Sequence, residues 1–133
     1  SQCCSLHPSH LIFGVHSKKY LQWAIELAQS YNAGSPWILC QQDDAPEGPH
    51  IVTCNGFYCD NWIAQHAKAR PNQPAMFTEH WSGWYQKWGE PFPTRPVEDV
   101  AFSVLRFIAR GGTVCHASCL VGQVRLYALC WFI

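Results

Sequence analysis

The distribution of apolar residues predicts two amphipathic helices. The first spans residues 17–34, begins at Ser17 as its N-cap and ends near Asn32 and Gly34. Its apolar positions recur at the i, i+3, i+4, i+7 spacing of one helix face, and they are Leu21, Ala24, Ile25 and Ala28. We therefore expect one face of this helix to be buried.

The second predicted helix begins at Pro96, which suits the first helical position, and ends at Gly111 and Gly112. Glu98 and Asp99 lie in the first turn and Arg106 and Arg110 near the end, where each charge complements the helix dipole. The stripe that we expect to face the core consists of Val97, Val100, Ala101, Val104, Leu105 and Ile108.

Short apolar runs predict strands at residues 37–40 and 75–78, and another strand beginning at 113–115. The run at 37–40 is typical of a buried parallel strand. Residues 41–74 are rich in Pro, Asn, Asp and Gly, which favours a long irregular excursion, and residues 81–96 are predicted to be a loop. This alternation of strands and helices predicts an α/β fold with parallel strands.

Length and charge exclude several classes of protein. The chain has 133 residues, enough for one small domain, and its nine basic residues balance nine acidic ones. Because a neutral chain does not replace the counterions of phosphates, we expect no nucleic-acid partner. No apolar run approaches the roughly 20 residues of a membrane span, and the first ten residues lack the features of a signal peptide.

Eight cysteines occur at irregular spacing, without a CxxC pair. Cys54 and Cys59 lie close together in the predicted excursion, and Cys40 ends the preceding strand. We predict at least one disulfide among these three, because four intervening residues permit the Cα separation that the bond requires. A zinc site formed by the same three cysteines and His66 is the alternative.

Aromatic residues concentrate around a single carboxylate. Glu79 follows the predicted strand 75–78, and its aromatic neighbours in sequence are Phe77, Trp81, Trp84, Tyr85, Trp88 and Phe92. Catalytic groups of parallel α/β folds collect at the carboxyl ends of strands. A carboxylate among aromatic rings suits glycoside hydrolysis, in which it attacks or stabilises an oxocarbenium-like carbon. The alternative is a solvated loop carboxylate beside ordinary core aromatics.

Four segments resemble plant-type β-galactosidases of glycoside hydrolase family 35. They read WILCQQDDAP at 37–46, TCNGFYCD at 53–60, FTEHWSGWY at 77–85 and RPVEDVAFSV at 95–104. The resemblance runs in order and without large gaps over residues 18–113. Consecutive motifs of this length are highly specific.

The resemblance implies an incomplete (β/α)₈ TIM-barrel segment, roughly the second half of the barrel, from enzymes that cleave terminal β-galactosyl residues with retention. By the family's motif, Glu79 is the nucleophile at the end of the seventh strand. Trp81 and Trp84 would shape the galactose pocket. For Trp84 the alternative is that it packs behind the residues that line the pocket. Asn55 would reach the pocket. No cofactor or metal is implied. The expected partner is a β-galactoside or a cell-wall oligosaccharide or polysaccharide, and the expected location is the apoplast or cell wall.

The chain also departs from the family. The family takes its acid/base glutamate from an Asn-Glu motif on the fourth strand, and residues 1–16 contain neither Asp nor Glu. Residues 114–133 likewise differ from the family's eighth strand. We therefore interpret residues 1–133 as a single catalytic-domain fragment with divergent ends and no turnover of its own. Two alternatives stay open, a non-catalytic galactoside-binding fragment and a truncated product without activity. For His50, His80 and His116 we expect a surface or core role.

Overall fold

The computed structural model describes residues 14–31, 34–42, 44–121 and 124–131. They fall into two compact units, one ending at Thr53 and the other beginning at Cys54. None of the helices in these ranges is long and apolar enough to cross a membrane.

The first unit contains helix α1, Val15–Ser30. Its predicted apolar face is confirmed, because Leu21 and Ile25 are both 5% exposed. The predicted N-cap is wrong: the helix begins after Gly14, and the Ser17 hydroxyl donates to the Gly14 carbonyl at 2.7 Å from within the first turn. Of the two predicted stop residues, Asn32 lies outside the described residues and Gly34 has a φ of 67°.

Two short parallel strands complete the described part of this unit, β1 (Trp37–Leu39) and β2 (His50–Val52). The strand prediction is confirmed, but the expected burial is wrong, since Trp37 and Ile38 are 42% and 45% exposed. A two-stranded sheet has two faces, and α1 is the only helix that the structure describes in this unit, so at most one face is covered by a helix.

The second unit is built on a four-stranded sheet in the order β3-β4-β5-β6. Its strands are β3 (Cys54–Gly56), β4 (Met76–Trp81), β5 (Val114–Val121) and β6 (Val124–Trp131). The first three are parallel, and β6 is antiparallel to β5. Helix α2 (Trp62–Ala69) connects β3 to β4, and helix α3 (Val97–Ala109) lies between β4 and β5. The predicted α/β fold is thus confirmed, and the described strands form no closed barrel.

The irregular excursion predicted for residues 41–74 is wrong, because this range contains β2, β3 and α2. Both strands are only three residues long, too short for an apolar alternation to be visible. In α2 the buried residues are Ile63 and His66, and a histidine does not register as apolar in a pattern search.

A disulfide joins Cys54 to Cys59, with a Cα–Cα distance of 6.0 Å, which confirms the predicted bond. It uses two of the four side chains of the alternative zinc set, and His66 instead stacks on Trp62, with ring centroids 4.1 Å apart. The described residues include no group of three or more His, Cys, Asp or Glu that could hold a metal ion. The bond closes residues 54–59, which comprise β3 and the short loop after it.

The core of the second unit forms where β4 meets α3. Phe77 and Phe107 are fully buried, with ring centroids 5.3 Å apart, and the cluster also includes Cys54, Cys59, Ile63 and Ala75. The buried residues of α3 are Ser103 and Phe107.

The apolar stripe predicted for α3 is only partly correct. Val100, Val104 and Ile108 are half-buried, whereas Val97 and Leu105 are 73% and 67% exposed. The helix turns Ser103 rather than these residues toward the sheet, because the Ser103 hydroxyl lies against a buried polar side chain there, which a count of apolar residues does not register.

Two glycines end α3 as predicted. Gly111 has a φ of 95°, and its N–H donates to the Ile108 carbonyl at 3.0 Å, while the Gly112 N–H donates to the Phe107 carbonyl at 3.0 Å. Gly112 also lies directly against the Phe107 ring, where an added Cβ would come within 2.2–2.7 Å of three ring atoms. The position therefore excludes any side chain unless Phe107 moves.

We expect Gly112→Ala to lower the free energy of unfolding by about 1–3 kcal/mol, the usual cost of overpacking a core. Chemical denaturation of the variant measures this loss. Gly83→Ala is the matched control, because a Cβ at Gly83 meets nothing within 4 Å. Equal stability of the two variants would contradict the assignment of Gly112 to the core.

Candidate active site

Between paired register positions, strand β4 has one residue more than the strand on either side of it. Cys54 is opposite Phe77, but the next residue of β3, Asn55, is opposite Glu79. On the other side, Phe77 is opposite Cys115 and His80 opposite Ala117, so β4 again uses one extra residue. This is a β-bulge, a feature often found next to active sites. Glu79 therefore lies within β4 and not directly after it, a correction to the predicted strand 75–78.

The bulge decides which side chains face the helix. Without it, Glu79 would lie on the same face as Phe77, because side chains alternate along a strand. Instead His80 shares the helix side with Phe77 and lies within hydrogen-bond distance of Ser103 in α3. Glu79 and Trp81 lie on the opposite face, where the Trp81 indole N–H donates to Glu79 Oε2 at 3.1 Å. The indole thus orients the carboxylate.

Asn55 lies on the neighbouring strand at the level of Glu79. It is 5% exposed, and its amide oxygen accepts a hydrogen bond from the Thr78 hydroxyl at 2.9 Å. The structure therefore brings together the predicted nucleophile and the asparagine that the sequence motif singled out. Thr78, which holds the amide, was not predicted.

The two predicted tryptophans are in contact with each other. The ring centroids of Trp81 and Trp84 are 4.6 Å apart, and both side chains are half-buried. Phe57, from the loop after β3, packs its edge against Trp81 at 5.3 Å, and Tyr85 continues the row beside Trp84 at 5.3 Å. Three of the aromatic residues predicted around Glu79 thus form, with Phe57, a continuous wall next to it. The prediction is wrong for Phe77, which belongs to the core, and for Trp88 and Phe92, which are exposed.

Arg95 joins the ends of two strands to helix α3. Its Nη1 donates to the Trp81 carbonyl and its Nη2 to the Phe57 carbonyl at 3.0 Å. Its Nε lies 2.5 Å from an Asp99 carboxylate oxygen, and the side chain is only 7% exposed. Sequence reasoning missed this residue and assigned Asp99 to the helix dipole. The sequence did contain a signal: Arg95 lies four residues before Asp99, a spacing at which the two side chains can pair, and the predicted helix begins between them.

Asp99 accepts hydrogen bonds from the Tyr58 hydroxyl and from Arg95. These two bonds, Tyr58 first, lower the pKa of its carboxyl below the usual value. An ionised Asp99 keeps the Arg95 guanidinium oriented.

A second ion-pair group ties the disulfide loop to α3. Asp60 is 1% exposed and accepts hydrogen bonds from Arg106 Nε at 3.0 Å and Nη2 at 2.6 Å. Arg110 Nη1 lies 3.3 Å from the same carboxylate oxygen and donates to Asn61 at 2.6 Å. The two arginines assigned to the helix dipole therefore also neutralise a buried aspartate.

His80 is fully buried beneath this part of the sheet. Its Nε2 lies within hydrogen-bond distance of Ser103 and 3.3 Å from Arg95 Nη1. Burial and the nearby Arg95 charge lower the pKa of His80 to about 4, and Asp99 opposes the shift. His80 and His50 are thus core residues, one of the two roles expected, and the side chain of His116 lies outside the described residues.

Comparison with known proteins identifies the family to which the chain belongs. The sequence matches the profile of the Glycosyl hydrolases family 35 over residues 8–121. The chain belongs to glycosyl hydrolase family 35. This family 35 chain is 47% identical over 102 residues to the "Probable beta-galactosidase 2" of Dictyostelium discoideum. It is 52% identical over 101 residues to "Beta-galactosidase 8" of Arabidopsis thaliana and 50% over 102 residues to "Beta-galactosidase 3" of Oryza sativa subsp. japonica.

These alignments cover 76–77% of the family 35 chain, and 13%, 11% and 11% of the three relatives in that order. The chain therefore corresponds to a small part of each relative. That part includes the strands that carry Asn55 and Glu79, since the family match spans both residues.

We expect the stability of this family 35 chain to fall by about 2 kcal/mol between pH 7 and pH 5 through His80 alone. The unfolded chain takes up a proton near the ordinary histidine pKa of 6.5, whereas the folded chain does so only near 4. The stability is therefore present above about 6.5 and is lost as the pH falls toward 4.

Denaturation at several pH values measures this slope, and the NMR titration of the His80 ring gives its pKa. His80→Gln should make the free energy of unfolding depend less on pH, whereas His16→Gln, at an exposed position, should not change this dependence. A His80 ring that titrates near 6.5 in the folded protein would contradict the expectation.

Proposed function

We propose that this chain supplies the nucleophile-bearing part of a retaining β-galactosidase that acts on terminal β-galactosyl residues. The observation that carries the proposal is the placement of Glu79. The bulge turns it away from α3 near the carboxyl end of β4, and Trp81 orients its carboxylate beside an aromatic wall. Family membership and the names of the relatives support the same activity.

In this proposal Glu79 attacks the anomeric carbon and forms a covalent glycosyl-enzyme, which water then hydrolyses. Trp81 and Trp84 form the apolar wall against which the sugar lies, and the amide of Asn55 is a polar contact for a hydroxyl group. A retaining enzyme also needs a second carboxyl about 5–5.5 Å from the first, to protonate the leaving oxygen. By the family pattern, that glutamate belongs to an Asn-Glu motif which the sequence lacks.

We further propose that β3, β4 and β5 with helices α2 and α3 belong to the second half of a (β/α)₈ barrel. Three parallel strands with a helix between each successive pair support this, as does the position of Glu79 near a carboxyl end. Strand β6 departs from the pattern, because it is antiparallel to β5 whereas all strands of such a barrel are parallel. The family match ends at residue 121, before β6. Both observations support divergence from the family after residue 121, whereas the expected divergence of residues 114–121 and 8–16 is not supported, because the family match includes them.

The substrate is proposed to be a galactoside of cell-wall oligosaccharides or polysaccharides, and the location to be extracellular. The Cys54–Cys59 disulfide supports an oxidising compartment. The names of the relatives extend to β-galactosidase and no further.

The test of the nucleophile is Glu79→Gln in the longest natural protein that contains these residues. We expect the hydrolysis of an aryl β-galactoside to fall by about 10³-fold or more, because the covalent step is removed. A 2-deoxy-2-fluorogalactoside should label the unmodified protein on the peptide that contains Glu79. Glu90→Gln is the matched control, since Glu90 is exposed and pairs with Lys87 at 3.9 Å. Labelling of a different carboxylate would overturn the assignment.

We expect residues 1–133 alone, once shown to be folded, to turn over unactivated galactosides negligibly. Without a proton donor the departure of an alkoxide loses the contribution of general acid catalysis, typically about 10²–10⁴-fold, and deglycosylation lacks its base. An activated fluorosugar should at most label Glu79 slowly. Robust hydrolysis that disappears in Glu79→Gln would contradict this expectation.

Equilibrium binding of a galactose-type inhibitor to the same folded polypeptide separates the alternatives. Binding without turnover or labelling would indicate a non-catalytic galactoside-binding fragment. No binding at all would indicate a product without activity.

A further inference from the structure

Arg95 forms hydrogen bonds with two residues of the candidate active site through their backbone carbonyls. One guanidinium group reaches the carbonyl of Trp81, the last residue of β4, and the carbonyl of Phe57, the residue after β3. Neither carbonyl belongs to a residue that the proposed chemistry uses as an acid, base or nucleophile. Arg95 therefore acts by fixing the backbone positions of Trp81 and Phe57.

The geometry requires an arginine. A guanidinium is a planar fork with donors on three nitrogens, and here each nitrogen has its own acceptor: Nη1 the Trp81 carbonyl, Nη2 the Phe57 carbonyl and Nε the Asp99 carboxylate. A lysine ammonium is a compact point charge that cannot span these acceptors in one plane. The guanidinium carbon also lies 5.3 Å from the Phe57 ring centroid, a cation–π contact.

The position of the guanidinium is fixed from the helix side. Asp99, in the first turn of α3, accepts from Arg95 and from the Tyr58 hydroxyl, and Tyr58 lies beneath the guanidinium at 5.0 Å. Because Asp99 belongs to the helix, its bond to Arg95 fixes the guanidinium, and with it the Trp81 and Phe57 carbonyls, relative to α3.

The two residues held by Arg95 meet above Glu79. The Phe57 ring packs edge-on against the Trp81 indole at 5.3 Å, and the same indole donates to Glu79 Oε2 at 3.1 Å. A shift of the Trp81 backbone would move the indole N–H and with it the carboxylate. A misplacement of about 1 Å can cost about 10²-fold in rate.

We propose that Arg95, oriented by Asp99, is a positioning residue for the nucleophile: it sets the place of Trp81 and Phe57 and thereby the orientation of the Glu79 carboxylate. This inference rests on the proposed function for the part that concerns catalysis. The part that concerns the position of Trp81 is independent of that function.

The test is Arg95→Lys in the longest natural protein that contains these residues, with 5-fluorotryptophan incorporated and the Trp81 signal assigned through Trp81→Phe. We expect the ¹⁹F resonance of Trp81 to shift. We expect kcat per fluorosugar-labelled site to fall about 10- to 100-fold with KM within threefold, because an orientation lost in the transition state lowers kcat. Counting labelled sites removes the contribution of unfolded molecules.

Arg110→Lys is the matched control. Arg110 also ends in ionic and polar contacts, with Asp60 and Asn61, but none of them leads to Trp81. We expect it to leave the Trp81 resonance and kcat per labelled site within twofold of the unmodified protein. If Arg95→Lys does not fold, Tyr58→Phe replaces it, since this change removes only the hydroxyl that Asp99 accepts, and a smaller shift in the same direction is expected.

An unmoved Trp81 resonance, or an unchanged kcat per labelled site in a folded Arg95→Lys protein, would overturn the positioning role. If the unmodified protein neither hydrolyses nor is labelled by a galactoside, the proposed function fails instead. The ¹⁹F shift then still decides whether Arg95 sets the position of Trp81.

Discussion

The packing of β4 against α3 is the constraint on which the rest of the second unit depends. Phe77 meets Phe107 and His80 meets Ser103, although Phe77 and His80 are three positions apart along the strand, an offset that would place them on opposite faces of a regular strand. Both contacts on one face are possible only because β4 bulges between them. The same extra residue places Glu79 and Trp81 on the other face. Core packing and the orientation of the candidate nucleophile are therefore consequences of one local irregularity.

The sequence predicted the positions of the longer elements better than it predicted which of their residues are buried. Leu21 and Ile25 mark the buried face of α1, and α3 was predicted close to its observed bounds. The strand predicted at 75–78 exists, but it extends to Trp81. The bulge was not predictable, because Phe77, Thr78, Glu79 and His80 carry no sign of which residue is extra. Strands of three residues such as β3 fall below the length at which alternation is visible. The disulfide was predictable because proximity in sequence already restricts its partners.

The sequence pointed to the reactive and aromatic side chains of the candidate site, but not to the residues that hold them in place. Glu79 and the aromatic residues stand out because carboxylates and rings have recognisable roles. Arg95, by contrast, acts through backbone carbonyls, and a sequence does not show which carbonyl an arginine reaches. Ser103 was overlooked for a related reason: hydroxyl groups count as polar in any amphipathic pattern, yet this one is fully buried opposite an imidazole whose pKa is lowered to about 4. A neutral His80 also avoids placing a second positive charge beside Arg95.

The ion pairs that hold the strand ends lie on the helix side of the sheet, and Glu79 with the aromatic wall lies on the other side. Arg95, just before helix α3, pairs with Asp99 of that helix and holds the end of β4 and the residue after β3, and Arg106 of the same helix pairs with Asp60. The aromatic wall of Trp81 and Trp84 on the opposite face contributes little to the described core, which is centred on Phe77 and Phe107. Because the described core lies on the helix side, we expect substitutions in the wall to disturb it less than substitutions of Phe77 or Phe107. The bulge of β4 therefore lets one strand contribute Phe77 and His80 to the core while its other face carries Glu79, the candidate nucleophile.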